Sequence, residues 1–299
     1  MRWCLRQTAV SLAVLAALTG GSASAALERL TFQRAPSGHL LVPVQINGQG
    51  PYIFLFDTGA SHTAIAQPVA ESLGFQSNWI RTGDVQSLTT RFEAERFALN
   101  RFEFAASGPV DIDSVVIPVS PDDANPVAGL LGADAIVARR YAIDFSAGTL
   151  TLDTATPQNA DGRVSPIGLL VSPAYIRRSV GRINVLIDSG SAHSIVNPRL
   201  ARYIRQRSGT VPVILNGVDN AIDMEAAPID IRRFQIGSLC VGHFNALKSD
   251  LDVFGAMGWE YEPAMVLGMD VLRHAVITVD RDTGIVQIDA ADENNSCAR

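Results

Sequence analysis

After its first residues, the sequence lacks any uncharged apolar run of the roughly 20 residues needed to cross a bilayer. It also lacks an excess of positive charge, because the formal net charge is -6 and acidic residues are spread along the chain. The metal-binding pattern His-Glu-x-x-His and the nucleophile pattern Gly-x-Ser-x-Gly are both absent. These absences argue against a membrane-spanning protein, a nucleic-acid-binding protein and two large groups of hydrolases.

The first 25 residues have the features of a Sec signal peptide. Arg2 and Arg6 give a positive start, residues 8–18 are apolar and uncharged, and residues 23–25 (Ala-Ser-Ala) form a cleavage site. We therefore expect cleavage after Ala25, a periplasmic or secreted protein, and no stable membrane insertion afterwards. An uncleaved membrane anchor is the alternative, but the apolar run is short for it.

The mature chain keeps two cysteines and is long enough for two domains of ordinary size. Its compartment permits disulfides. Cys240 and Cys297 therefore form either a bridge that ties the tail to the second half, or two free buried thiols.

Short apolar and β-branched runs, separated by turn residues, dominate the mature sequence and predict a mostly β protein. Helical signals are few, over residues 67–73 and 198–207. Gly83-Asp84 is typical of a hairpin tip. The polar, turn-rich stretch 154–166 has no periodicity and predicts a linker.

One short pattern occurs twice in the sequence. The first apolar run ends in Asp57-Thr58-Gly59, and a second apolar run ends in Asp188-Ser189-Gly190. An apolar-apolar-Gly segment follows each copy, ending at Gly132 and at Gly268. Matches in two ordered blocks indicate an internal duplication. The predicted domains are a first lobe over residues 26–155, a linker over 156–166, a second lobe over 167–291 and a tail over 292–299.

With two such motifs, the chain resembles the retropepsin-like aspartic proteases over nearly all of residues 30–290. The resemblance implies two similar β-barrel lobes with a cleft between them and Asp57 and Asp188 as the catalytic pair. It also implies that the hydroxyls of Thr58 and Ser189 bond across the lobes. Because both lobes lie in one chain, a monomer is expected. An extended polypeptide is the expected substrate, and no metal or cofactor is expected.

Two neighbouring carboxylates share one proton, because like charges at close range do not both ionise easily. The ionised member can act as general base on a water, while the protonated member polarises the scissile carbonyl. Ser191 could donate a hydrogen bond to Asp188, whereas Ala60 offers no such donor to Asp57. We therefore predict the charge on Asp188 and the proton on Asp57.

Other residues near the motifs are assigned supporting roles. Gly59 and Gly190 allow either the substrate backbone or the partner loop to approach closely. Asp134 and Asp270 are expected to be helix caps or local hydrogen-bond anchors. Trp79 with residues 80–92, and residues 209–222, correspond to flaps in the family or else to ordinary hairpins. The residues expected to line the substrate cleft are Ala60, Ser61, His62, Ala192 and His193, whose two histidines have no metal-ligand spacing.

Three functions fit this sequence. The first is a periplasmic aspartic endopeptidase that uses Asp57 and Asp188 and processes a periplasmic or membrane-anchored protein. The second is a peptide-binding module on the same fold that has lost hydrolysis. The third is a structural tandem whose lobes face apart. The distance between the two carboxyl groups distinguishes the third function from the other two.

Overall fold

The computed structural model describes residues 28–75, 81–104, 108–118, 127–176, 180–204, 212–216 and 223–297. The predicted signal peptide, Trp79, and residues 209–211 and 217–222 of the second predicted flap lie outside these residues. Within the described ranges, no helix is long and apolar enough to cross a membrane.

Strands make up most of the described chain, which confirms the predicted mostly β fold class. The strands of the first half are β1 (Arg29–Thr31), β2 (Gln33–Arg34), β3 (Leu40–Ile46), β4 (Gln49–Phe56), β5 (Ala64–Ala66), β6 (Arg81–Gln86), β7 (Arg91–Glu103), β8 (Val110–Ile117), β9 (Gly129–Leu131), β10 (Arg140–Asp144) and β11 (Thr149–Leu152). Between them lie the helix α1 (Gln67–Ser72) and a 3-10 turn (Ala133–Ala135).

The second half is built in the same style. Its strands are β12 (Gly162–Val164), β13 (Leu170–Ile176), β14 (Gly181–Ile187), β15 (Ile195–Val196), β16 (Val213–Asn216), β17 (Asp223–Ile236), β18 (Leu239–Lys248), β19 (Ala264–Leu267), β20 (Ala275–Asp280) and β21 (Ile285–Ala290). Its helices are α2 (Pro198–Ala201), α3 (Asp252–Ala256) and α4 (Met269–Leu272), followed by a 3-10 turn (Glu293–Asn295). The strand β12 lies within the predicted linker.

The described strands form an eight-stranded sheet in the order β2-β3-β4-β9-β5-β8-β7-β6 and a 13-stranded sheet. The larger sheet has the order β1-β11-β10-β20-β21-β12-β13-β14-β19-β15-β18-β17-β16. It therefore includes three strands of the first half, and β10 pairs antiparallel with β20 of the second half. Main-chain hydrogen bonds thus join the two halves.

The two halves repeat one pattern of strand pairing. In the first half β4 runs parallel to β9, β9 runs antiparallel to β5, and β5 runs parallel to β8. In the second half β14, β19, β15 and β18 pair in the same sequence of directions. Each half therefore brings its Asp loop out of a central strand. An internal duplication as the origin of this pattern stays a prediction.

Residue alternation explains why these segments form strands. Leu40, Val42, Val44 and Ile46 in β3 are fully buried, whereas the residues between them are at least partly exposed. Since successive side chains of a strand point to opposite faces, this pattern places one face of β3 on the core. The apolar burial stabilises the sheet that carries the loop after β4.

Three local expectations have clear outcomes. The predicted helix over residues 67–73 is confirmed as α1. Of the predicted helix 198–207, α2 covers Pro198–Ala201, and residues 205–207 lie outside the described part of the chain. Cys240 and Cys297 form a disulfide. The hairpin tip predicted at Gly83-Asp84 is wrong, because both residues pair within β6 and β7. The turn lies at residues 87–90, where the Ser87 hydroxyl accepts from the backbone N–H groups of Thr89 and Thr90.

Candidate active site

Each candidate aspartate follows directly on a buried strand. Asp57 comes after β4, and its N–H donates to the carbonyl of Leu131 in β9 at 3.0 Å. Asp188 comes after β14, and its N–H donates to the carbonyl of Leu267 in β19 at 3.0 Å. The parallel strands β9 and β19 thus extend their backbone hydrogen bonds as far as the aspartates. The pairing within each sheet therefore fixes the position of its Asp loop.

Hydroxyl groups hold the two loops together. The N–H of Thr58 donates to Ser189 Oγ, and the N–H of Ser189 donates to Thr58 Oγ1, each at 3.0 Å. Thr58 Oγ1 in turn donates to the carbonyl of Ile187 at 3.0 Å, and Ser189 Oγ donates to the carbonyl of Phe56 at 2.8 Å. These four bonds connect the two halves, as the resemblance implies for Thr58 and Ser189.

Two glycines let the loops approach each other. A Cβ atom on Gly59 would lie 2.5 Å from Cγ of Asp188, and a Cβ atom on Gly190 would lie 2.5 Å from Cγ of Asp57. Any side chain at either position would displace the opposite carboxyl group. The carboxyl groups of Asp57 and Asp188 consequently lie within hydrogen-bonding reach of one another. The hypothesis of two lobes facing apart is therefore wrong.

Burial raises the pKa of both carboxyl groups of the pair. Burial raises the pKa of Asp57, while hydrogen bonds from Asp188 and from the N–H of Gly59, at 2.8 Å, oppose the rise. Burial and then the charge of Asp57 raise the pKa of Asp188 well above its ordinary value. Asp188 is 2% exposed, whereas Asp57 is partly exposed. Two carboxyl groups with raised pKa values at this distance favour a state in which the pair shares one proton.

The hydrogen bond on which the charge was placed on Asp188 is not formed in the structure. The prediction assumed that the hydroxyl of Ser191 donates to Asp188. In the structure Ser191 Oγ donates to the carbonyl of His193 at 2.8 Å, so its single proton is engaged elsewhere. The side chain of Ser191 thus stabilises the turn of its own loop.

Two further aspartates fix the loops from behind. Asp134 accepts from the N–H of Thr63 at 2.8 Å and from its hydroxyl at 2.7 Å. Asp270 accepts from the N–H of Ser194 at 2.9 Å and from its hydroxyl at 2.6 Å. The expected role as local hydrogen-bond anchors is confirmed, whereas neither aspartate makes a helix-capping bond.

The partners of these anchors, Thr63 and Ser194, were not singled out in the sequence, although each stands six residues after the aspartate of its own motif. Both side chains are fully buried. Their hydroxyl oxygens also accept from the N–H groups of Gly132, at 3.2 Å, and Gly268, at 3.1 Å. Each hydroxyl therefore connects an Asp loop with the Gly segment that packs behind it.

The residues expected to line the cleft lie on the two loops beyond the aspartates. His62 and His193 are exposed, and His62 Nδ1 lies 2.9 Å from the hydroxyl of Ser61. The backbone carbonyls of Ala60 and Ala192 accept from Ala133 and Asp270 of the segments behind them, at 3.0 and 3.2 Å. These contacts order the loops, and a role in substrate binding stays a prediction.

A residue without any signal in the sequence, His39, also lies near the site, directly before β3. Its ring lies near the backbone of Gly190 and near His193, and burial lowers its pKa. Its Nδ1 atom lies 2.9 Å from the hydroxyl of Ser37. A neutral imidazole therefore lies beside the Asp188 loop.

Apolar side chains line a recess on the side of Asp57, among them Phe56, Ile136, Tyr141 and Leu170. Burial raises the pKa of Tyr141 to about 12, so that its phenol stays protonated across the physiological range. Among the described residues, no three His, Cys, Asp or Glu side chains come together as a metal site would require.

Comparison with known proteins identifies part of the chain. Residues 42–135 match the aspartyl protease family. The predicted resemblance is confirmed over this segment, which contains the Asp57 loop and the Gly132 segment behind it. The family match supports a hydrolase of the aspartic protease type. Asp188 and the second half lie outside the match, and no curated protein matches the chain.

Proposed function

We propose that the mature chain is a periplasmic aspartic endopeptidase that uses Asp57 and Asp188. This proposal rests on the short distance between the two carboxyl groups. They lie within hydrogen-bonding distance of each other, at the ends of matched strands. Two buried carboxyls so close together are unfavourable for folding unless they share a proton. Sharing one proton is also what general acid–base hydrolysis requires.

In the proposed reaction, Asp57 is the base and Asp188 is the acid. The Asp57 carboxylate takes a proton from a water held between the two groups, and the water oxygen attacks the scissile carbonyl carbon. The protonated Asp188 donates a hydrogen bond to the carbonyl oxygen and stabilises the negative charge that develops there. Asp57 then transfers the proton that it took from the water to the leaving nitrogen as the C–N bond breaks, which restores its carboxylate and involves no covalent intermediate.

An extended polypeptide suits the shape of the proposed site. The hairpin of β6 and β7 belongs to the first half, but its turn contacts the second half. The backbone carbonyl of Leu88, which lies in that turn, accepts from the N–H of Val253 at 3.3 Å. A peptide between this hairpin and the two Asp loops could pair as an added strand. Together with the predicted signal peptide, this favours a protein segment in the periplasm or at the membrane surface as substrate.

Peptide cleavage by the purified chain, without residues 1–25, tests the proposal. Peptide libraries are incubated from pH 4 to 8 and the products identified by mass spectrometry. We expect Asp57→Asn and Asp188→Asn each to lower kcat by about 10²–10⁴-fold, the usual contribution of a general acid or base. Glu71→Gln is the matched control, because Glu71 is an exposed carboxylate on α1. No cleavage at any pH, or equal cleavage by the Asp57 variant, contradicts the proposal.

The peptide-binding alternative has a separate outcome in the same experiment. A module without hydrolysis would retain peptides during gel filtration and release them intact, and the two Asn variants would bind as the parent does. The proposed location is checked by isolating the protein from a periplasmic extract and sequencing its N-terminus. Processing after Ala25 gives Ala26 as the first residue.

A further inference from the structure

Two matched rows of apolar side chains flank the Asp loops. Leu41, Leu55 and Leu130 are neighbours across β3, β4 and β9, and we call them the Asp57 row. The corresponding residues across β13, β14 and β19 are Val171, Leu186 and Val266, which we call the Asp188 row. Leu55 and Leu186 each stand two residues before their aspartate. Both rows therefore lie directly beside the candidate dyad.

The rows differ in exposure. The residues of the Asp188 row are between 0% and 4% exposed. The three leucines of the Asp57 row are all partly exposed. Strand pairing places the two rows in equivalent positions. The difference in exposure must therefore come from the side chains that pack on each row.

The apolar cluster that contains the Asp188 row includes side chains of α3 and receives one from the first half. Val253 and Phe254 of α3 belong to this cluster and are 7% and 2% exposed. Leu88, from the turn between β6 and β7 in the first half, packs against the same cluster. The hydrogen bond from the N–H of Val253 to the carbonyl of Leu88 fixes the turn at this place. A leucine of the first half thus packs against the apolar cluster that contains the Asp188 row.

The helix that receives Leu88 lies where the second half has extra residues. Val116 in β8 and Lys248 in β18 are equivalent, because they pair with equivalent positions of β5 and β15. Leu130 in β9 and Val266 in β19 are equivalent in the same way. The stretch from Lys248 to Val266 is longer by four residues than the stretch from Val116 to Leu130. This longer connection of the second half contains α3.

We propose that Leu88 is a specificity-determining residue that occupies the side-chain site beside Asp188. The Asp57 row is then the open counterpart, and it accepts a large apolar side chain of the substrate. We infer an apolar substrate side chain for the Asp57 row because a leucine occupies the same kind of surface at the Asp188 row. Cleavage is accordingly favoured between a large apolar residue on one side of the scissile bond and a small residue on the other. This inference rests on the proposed endopeptidase function.

Leu88→Ala tests this selectivity, with Glu93→Ala as the matched control. Glu93 lies on the same hairpin, in β7, and its side chain is exposed. For peptides with large apolar residues on both sides of the bond, we expect Leu88→Ala to raise kcat/KM at least tenfold. Glu93→Ala and the size-conserving Leu88→Met should keep the parent's preference. Equal profiles of Leu88→Ala and the parent, or a parent that already accepts two large residues, overturn the inference.

Hydrogen exchange separates this inference from the proposed function. The amide of Val253 should be protected in the parent and in Glu93→Ala, and should exchange faster in Leu88→Ala. Equal exchange in all three proteins overturns the placement of Leu88 over the Asp188 row. If exchange behaves as expected but no protein cleaves any peptide, the placement of Leu88 is supported, whereas the endopeptidase function and the selectivity derived from it are overturned.

Discussion

Thr58 and Ser189 exchange two hydrogen bonds across the two halves of the chain, each N–H donating to the other residue's hydroxyl oxygen. Each hydroxyl also donates to a backbone carbonyl that precedes the partner's aspartate. The two side chains are 7% and 0% exposed. Donors and acceptors are thus paired within the protein, and the register of one Asp loop against the other depends on these two hydroxyls.

Removing one of these hydroxyls should lower the stability of the fold. We expect Ser189→Ala to lower the free energy of unfolding by about 1–3 kcal/mol, because it leaves the N–H of Thr58 buried without an acceptor. In a double-mutant cycle with Thr58→Val, a coupling of about 0.5–3 kcal/mol should appear, since the residues share bonds. Urea unfolding measures both quantities, with the exposed Ser146→Ala as control. Additive effects would contradict a direct interaction.

A methyl group between the loops should inactivate the site without unfolding the chain. Gly59→Ala places a Cβ atom 2.5 Å from the carboxyl of Asp188, so the two acids must move apart. Displacement of reacting groups by about 1 Å can lower activity about 100-fold, and we expect a loss of at least this size. Gly242→Ala is the control, because a Cβ atom there meets nothing within 4 Å. Peptide cleavage and circular dichroism distinguish inactivation from unfolding.

The raised pKa of Asp188 predicts how stability depends on pH. A carboxyl whose pKa is higher in the folded than in the unfolded chain stabilises the fold below the ordinary value of 3.8. That stability is lost as the pH rises through the raised pKa. Asp188→Asn removes the ionisable group, so its Tm should exceed that of the parent at pH 7, and the difference should shrink towards pH 4.

Thermal unfolding from pH 3 to 8 measures this pH dependence. Glu71→Gln serves again as the exposed control and should follow the parent at every pH. A Tm of Asp188→Asn below that of the parent throughout the range would show that the buried carboxyl is not a source of instability.

The disulfide should stabilise the end of the chain. Cys240 and Cys297 are separated by 57 residues. Loop-closure entropy for a loop of that length corresponds to about 4 kcal/mol, and measured values for disulfides are typically about 2–4 kcal/mol. We expect Cys297→Ser to lower the free energy of unfolding by an amount in this range. Addition of a reducing agent should destabilise the parent equally and leave the variant unchanged, and an effect on the variant would contradict this assignment.

Local sequence information predicted the features that depend on neighbouring residues and on repetition. The apolar alternation of β3 and the β-branched runs elsewhere were sufficient to predict the strands. Repetition of the motif after an apolar run was sufficient to pair Asp57 with Asp188. The same repetition contained Thr63 and Ser194 as well, which a complete comparison of the two halves would have found.

Other features depend on three-dimensional contacts. The donor of Ser191 was assigned to Asp188 from adjacency in sequence, but the turn brings the carbonyl of His193 closer to it. The hairpin tip was predicted at Gly83 from residue type, whereas the hydroxyl of Ser87 stabilises the turn further on. In both cases a side-chain hydrogen bond to the backbone determined the local structure, and its geometry is not encoded in residue preference.

The sequence by itself determined that two Asp-hydroxyl-Gly loops follow buried strands and that they are alike, because local pattern and spacing carry that information. Only the tertiary structure determined how the two copies differ. Burial, which depends on the packing of the whole chain, leaves Asp188 2% exposed and Asp57 partly exposed. Leu88 reaches the second half through contacts between residues far apart in sequence. The two similar motifs therefore have different surroundings in the folded chain.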